Sequence, residues 1–306
     1  MSRPTRSEPQ ASEGGPLHWL DPGRWSLAEL RERLDTGLVP GIEGRWLRVL
    51  QADARSGARQ LAASLERRRD ARRRETRRVA VLFARRRRLF AAGARVVAGV
   101  DEVGVGPLAG PLVAAAVVLP ARVRLPGLND SKQLTALERE TLDAAIRRQA
   151  VAVCVAEVTS VEVDRMNVLR ASLEAMRRAV VGLSTPPDHV LVDAHTIPAI
   201  DAPQTPLIGG DARDGSIAAA SIVAKVYRDA LMRELDSRHP GYGFAQHKGY
   251  CTREHLRALE RLGPCPAHRR SFAPVARQGG RLESRPTRSE PQASEGGPLH
   301  GCALFA

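Results

Sequence analysis

Long apolar runs are missing from this chain of 306 residues. No stretch reaches the ~20 consecutive apolar residues that a membrane-spanning helix needs, so no membrane association is expected. The opening twenty residues are polar and rich in Pro and Gly, and they lack the apolar core of a signal peptide. The cytoplasm is the expected compartment. Cysteine is sparse: Cys154, Cys251, Cys265 and Cys302 stand apart, with no Cys-x-x-Cys pair. That spacing argues against a zinc ribbon and a disulfide framework, and free thiols are expected. The glycine-rich segment Gly104–Gly110 lacks the Lys-Ser/Thr ending of a phosphate-binding P-loop and does not fit a dinucleotide fingerprint. On its own it reads as a tight turn.

Lysine is scarcer still. All but three of the 47 basic residues are arginine, the exceptions being Lys132, Lys225 and Lys248. Where arginine is the habitual cation, a lysine can mark a site that suits a compact charge on a flexible stem; chance codon usage accounts for it equally well.

Charge of one sign is what the chain has in excess, with a net charge of +13. The excess lies in the first 95 residues, which carry 22 Arg against 11 acids, whereas residues 96–275 are close to balance. Thirteen arginines fall between Arg67 and Arg95. Such an arm suits a polyanion, because neutralising phosphates releases counterions. A merely solvated basic face is the alternative.

The segment Ser2–His18 recurs unchanged at Ser284–His300. Its Pro/Gly/Ser/Glu composition cannot bury enough apolar surface to order itself, so residues 1–18 and 276–306 are expected to be disordered tails. Residues 19–95 read as a basic helical extension. Ser26 and Glu29 have capping-box spacing, Pro40-Gly41 breaks the chain, and Leu50, Ala54, Ala58, Leu61 and Leu65 recur at helical spacing in one long segment over 46–92. Its basic second half has little apolar face, which suits packing on the rest of the chain or along nucleic acid. Residues 96–275 form the expected main globular domain. Apolar runs at 96–100, 112–119, 150–158 and 189–192 predict strands. Helices are predicted over 163–183, with Leu169, Leu173, Met176 and Val180 on one stripe, over 216–237 and over 252–262. The fold class is α/β, a mixed sheet flanked by helices.

Acidic residues close these strands. Asp101 and Glu102 follow the first apolar run, Asp193 ends another, and Asp211 follows Gly209-Gly210 ahead of a helix. Any one of them reads equally as a turn or helix cap. Together, hard carboxylate oxygens at the rim of a rigid sheet suit Mg²⁺ or Mn²⁺. A pair of such ions can activate water and stabilise the leaving oxygen of a phosphodiester.

At these residues the chain closely resembles bacterial ribonuclease HII. The ordered segments are Ala98-Gly99-Val100-Asp101-Glu102, Gly106-Pro107-Leu108-Ala109-Gly110-Pro111, Leu128-Asn129-Asp130-Ser131-Lys132, Leu191-Val192-Asp193, Gly210-Asp211, 216–226, Tyr242-Gly243-Phe244, His247-Lys248-Gly249-Tyr250 and His268-Arg269-Arg270-Ser271-Phe272. Residues 45–95 also look like the helical N-terminal extension of some members.

The resemblance implies a ribonuclease H-like fold and a monomer acting on RNA–DNA hybrids and on duplex DNA containing ribonucleotides. Cutting would fall 5′ of the ribonucleotide, leaving 3′-hydroxyl and 5′-phosphate ends, in ribonucleotide excision repair and RNA primer removal. It also implies a site of two divalent ions, Mg²⁺ or Mn²⁺, on Asp101, Glu102, Asp193 and Asp211. Asp101 would bridge them, Asp211 would complete the water-activating ion, and Glu102 with Asp193 would hold the other. The turn Gly104-Val105-Gly106 matches the element that reads the 2′-hydroxyl. Tyr250 matches the tyrosine that stacks on the next sugar, and Asn129, Lys132 and Lys225 match groups facing phosphates.

Three positions depart from the family pattern. Val105 stands where the family has Arg, and Ala194 and Cys251 stand where it has Gly. A glycine that used φ > 0 would leave Ala or Cys strained by about 1–2 kcal/mol. Intact carboxylates favour an active nuclease; an RNA–DNA hybrid-binding protein crippled at Val105, or an enzyme that needs runs of ribonucleotides, are the rivals.

Overall fold

The computed structural model describes residues 25–36, 43–282 and 303–304. The duplicated segments and the Pro40-Gly41 break lie outside the described residues. The chain divides into two compact units, Met1–Arg77 and Arg78–Ala306.

In the first unit, α1 (Leu27–Thr36), α2 (Glu43–Ala52) and the larger part of α3 (Ser56–Leu82) enclose Leu30, Trp46, Leu47, Leu50, Ala58, Leu61, Ala62 and Leu65. The capping box at α1 forms as expected: the Glu29 amide donates to Ser26 Oγ, and the Ser26 amide donates to Glu29 Oε2. The single long helix expected over 46–92 is instead three. Asp53 interrupts it by accepting from the Arg55 amide at 2.9 Å, a local side-chain bond that competes with the helical ladder. Ala54 is consequently exposed, while the rest of the predicted stripe is buried. A second interruption at Phe83 precedes α4 (Ala84–Ala91).

The second unit is built on the strands β1 (Val97–Val103), β2 (Leu112–Val118), β3 (Ala152–Val158), β4 (His189–Asp193) and β5 (Gln204–Leu207), with a two-residue β6 (Ala303–Leu304). Their order is β5-β4-β1-β2-β3-β6. β2 runs antiparallel to β1 and β3, whereas β4 runs parallel to β1 and to β5. The expected mixed sheet is thus present.

Both faces of the sheet are covered, which explains why β2 reads as an unbroken apolar run. Leu112, Ala114, Ala116 and Val118 pack towards α7 (Val168–Val181), through its Ala171, Ala175, Met176 and Ala179. Val113, Ala115 and Val117 face the opposite way, towards α5 (Ala136–Gln149) and the Ala218–Ala220 segment of α9 (Gly215–Arg238). Small residues bring α9 close. A Cβ on Gly99 of β1 would lie only 2.7 Å from the Ile217 nitrogen and closer still to the Ser216 carbonyl.

The helix expected over 163–183 is broken into α6 (Ser160–Met166) and α7 by Asn167, at φ 69, whose side chain caps α7 through the Arg170 amide. This rotates the stripe, and Leu169 is exposed rather than buried. β5 was not foreseen, because Gln204-Thr205-Pro206-Leu207 carries little apolar signal. After α8 (Gly210–Arg213) and α9 come α10 (Phe244–His247), α11 (Arg253–Leu262) and α12 (Ala273–Leu282), the last continuing past the expected limit at 275. Free thiols are found at Cys251 and Cys265, but Cys154 is disulfide-bonded. It lies on β3, opposite Leu304 of β6.

Candidate active site

The parallel pairing of β1 with β4 builds the centre of the site. Val100 registers with Val192, so Asp101 and Asp193 occupy the next step on neighbouring strands. Glu102 follows on β1, and Asp211 enters on α8, immediately beyond β5. Asp101 and Asp211 are buried, and Glu102 and Asp193 half-buried.

Each carboxylate is aimed by a specific donor. Asp101 accepts from the Glu102 amide at 2.8 Å and from the Ser221 hydroxyl of α9. Ser221 in turn lies 2.9 Å from Ser131, in the segment that carries Lys132. Asp193 Oδ1 accepts from the Gly210 amide at 2.6 Å, which locks β4 to the entry of α8. Ser172 of α7 hydrogen-bonds Glu102. Lys132 Nζ stands 2.8 Å from Asp211 Oδ2.

Three of these groups crowd one another with like charge. Burial first, then the charges of Glu102 and Asp193, push Asp101 well above the usual carboxylate range. Burial and the Asp193 charge raise Glu102 in the same way. Glu102 Oε2 is buried without a hydrogen-bond partner. Buried like charges with an orphaned oxygen are costly unless a cation compensates them. Asp211 already has such a cation in Lys132, whose own pKa that hydrogen bond raises.

The donor set is all hard oxygen, which suits Mg²⁺ or Mn²⁺. Among the described residues, no three carboxylate, imidazole or thiol side chains stand close enough to enclose an ion as they are. The residues fit a divalent ion in chemistry and charge.

Beside the carboxylates, β1 leads into the turn Gly104-Val105-Gly106. Two fully buried arginines brace this region by its carbonyls: Arg269 holds the turn itself, and Arg228 of α9 holds the segment that follows it. Arg269 donates to the oxygens of Gly104, Val105 and Gly110, and Arg228 to those of Pro111, Ala109 and Lys248. At Gly104, φ is +93 and a Cβ would collide with the Arg228 guanidinium, so only glycine fits. The Leu108 amide donates to the Gly249 carbonyl at 2.8 Å, bringing the turn to Tyr250. A Cβ on Gly106 would lie 3.9 Å from the Tyr250 ring.

Asp101, Glu102, Asp193, Asp211 and Lys132 therefore form one group, with Gly104, Val105, Gly106 and Tyr250 alongside. Asn129 and Lys225 take partners outside it: Asn129 donates to Gln133, and Lys225 pairs with Asp229 at 2.7 Å. Sequence reasoning missed Ser172, Ser221, Arg228 and Arg269. Arg269 sits in a motif already noted and Ser221 in another, but burial is what distinguishes them. Ala194 does adopt φ 54, in the left-handed region that favours glycine, whereas Cys251 is not among the residues of positive φ. The strain expected at Cys251 is absent.

Residues 98–275 match the family model described as Ribonuclease HII. Proteins described as ribonuclease HII from Anaeromyxobacter sp. (strain Fw109-5) and Myxococcus xanthus (strain DK1622) are each 50% identical to the chain. The first alignment covers 83% of this chain and 81% of its relative, the second 88% and 90%. Among solved structures, ribonuclease H2 from Pyrococcus horikoshii OT3 superposes with a TM-score of 0.54 at 29% identity, covering 62% of this chain and 100% of that one.

Proposed function

The chain belongs to the ribonuclease HII family, and from that premise we propose that it is a divalent-ion-dependent endoribonuclease. Its substrates are RNA–DNA hybrids and duplex DNA containing ribonucleotides, cut 5′ of the ribonucleotide to leave a 3′-hydroxyl and a 5′-phosphate. Removal of misincorporated ribonucleotides and of RNA primers, in the cytoplasm, is the corresponding role.

The observation that carries this reading is the shared negative space of Asp101, Glu102 and Asp193, with the orphaned Glu102 Oε2 inside it. Together with Asp211 these residues would hold two divalent ions. Such ions, when bound, supply a lowered pKa for water and charge neutralisation at the phosphate. The protein's own contribution is preorganisation. The Glu102 amide and Ser221 aim Asp101, the Gly210 amide aims Asp193, and Lys132 orients Asp211 while adding a compact positive charge. The 104–106 turn and Tyr250 would meet the sugars on either side of the cut, where the 2′-hydroxyl distinguishes RNA from DNA. The exposed arginines of α3 supply affinity for phosphate that is independent of sequence.

Cleavage of a DNA duplex holding one ribonucleotide tests the proposal, with wild type beside Asp101→Asn in Mg²⁺ or Mn²⁺. Wild type should cut 5′ of the ribonucleotide and the variant should not. Retardation of the duplex without cutting by the wild type would reduce the protein to a binder.

A further inference from the structure

Close to Tyr250, three histidines gather in a place the chemistry above does not use. His255 and His268 are buried. His255 stacks on His247 with ring centroids 4.3 Å apart. Each ring makes contacts whose direction is decided by groups that can only donate or only accept.

The backbone amide of Cys265 donates to His268 Nδ1 at 3.0 Å. In a neutral imidazole the proton of His268 then sits on Nε2. That nitrogen lies 3.1 Å from His255 Nε2, which must accept. The His255 proton is thereby placed on Nδ1, 2.9 Å from the Tyr250 carbonyl, which can only accept. Working back from Tyr250 gives the same assignment. The two ends of the chain agree on one pattern of protons, and a further proton on either ring would set N–H against N–H. Burial keeps both rings neutral: it lowers His255 and pushes His268 down to about 4. His247 is oriented in parallel, with Nδ1 accepting from the Gly249 amide and Nε2 donating to the Tyr242 carbonyl.

We propose that His255 and His268 are positioning residues for Tyr250, acting through a one-way hydrogen-bond relay that runs from the Cys265 amide to the Tyr250 carbonyl. Tyr250 is 42% exposed and its backbone is held on both sides. The amide of that backbone donates to the His247 carbonyl, while its carbonyl also accepts from Thr252. Since Gly249 accepts from Leu108, the relay also steadies the approach of the 104–106 turn. The inference rests on the reading of Tyr250 as a substrate contact.

Two measurements test it. Histidine tautomers in the full-length, ¹⁵N-histidine-labelled protein, read from two-bond ¹H–¹⁵N correlations, should show His255 with its proton on Nδ1 and His268 with its proton on Nε2. The opposite tautomer at His255 overturns the relay. In the second, kcat and KM are measured on a duplex with a single ribonucleotide. His255→Leu removes one of the two donors to the Tyr250 carbonyl and leaves the Thr252 amide, so it should lower kcat about three- to tenfold, the order of one neutral hydrogen bond, with KM little changed. His255→Asn, whose side-chain N–H can reach the same carbonyl, should recover most of that loss at an equal thermal midpoint. Equal rates for His255→Leu and wild type, or no recovery in His255→Asn, refute the positioning role. Tyr250→Ala separates the two layers: if it cuts like wild type, the substrate role of Tyr250 falls, while the tautomer result stands or falls independently.

Discussion

Replacing Gly99 with alanine probes how the site is braced. Gly99 lies on β1, two residues before Asp101, and its missing side chain lets the first turn of α9 rest directly on the strand. A methyl group there would stand 2.7 Å from the Ile217 nitrogen, about 0.7 Å short of the 3.4 Å of an ordinary contact, and nearer still to the Ser216 carbonyl. Both obstacles are backbone, so no rotamer change relieves them. Helix α9 has to retreat from β1 by most of an ångström or more, taking Ser221 away from Asp101. Overpacking of this kind costs about 1–3 kcal/mol, and more where backbone must move. Displacement of a reacting group by about 1 Å costs on the order of a hundredfold in rate. Urea unfolding and single-ribonucleotide cleavage measure the two effects. Gly44→Ala in α2, where a Cβ meets nothing within 4 Å, serves as the control and should raise stability by about 0.4–1 kcal/mol with the wild-type rate of cutting. If Gly99→Ala unfolds at the wild-type urea midpoint and cuts at the wild-type rate, the account of helix and strand packing is wrong.

Three further outcomes are expected. Val105→Arg should raise kcat/KM on a single embedded ribonucleotide about ten- to a hundredfold, the worth of a charged hydrogen bond of roughly 1.5–3 kcal/mol; an unchanged value refutes the role of that position. Asp101 and Glu102 are raised above their ordinary values of 3.8 and 4.5, so the folded state holds their protons longer than the unfolded chain does. Their contribution to stability is full below those values and is lost as pH rises through the raised ones. Metal-free protein should therefore show this loss in its thermal midpoint as pH climbs, and Asp101→Asn should flatten it. Ala194→Gly relieves a left-handed residue, a gain of about 1–2 kcal/mol less about 0.4–1 for a freer unfolded chain. Its thermal midpoint should rise, whereas that of Cys251→Gly, where positive φ is absent, should fall.

Strands were legible where burial on both faces left continuous apolar runs, as in β1 and β2. β5 was not, because Gln204, Thr205 and Pro206 write no such pattern and only pairing with β4 makes them a strand. Helix breaks were hidden for a related reason. Apolar spacing continues across Asp53 and Asn167, and the break follows from side-chain bonds to nearby amides that periodicity does not register. The acidic residues could be picked out because they close apolar runs. What aims them could not. Ser172 and Ser221 are ordinary helix residues until the sheet brings Glu102 and Asp101 against them, and Arg228 and Arg269 vanish among so many surface arginines. Lys225 shows the reverse: singled out as rare, it is engaged by Asp229 one turn along its own helix.

The grip of Arg269 on the Gly104 and Val105 carbonyl oxygens divides responsibility within the 104–106 turn. Its path is held by a residue more than a hundred positions downstream, whose bonds go to the backbone and not to the side chain of the middle position. A substitution at position 105 therefore changes what the turn presents to its surroundings without removing the bonds that hold its path.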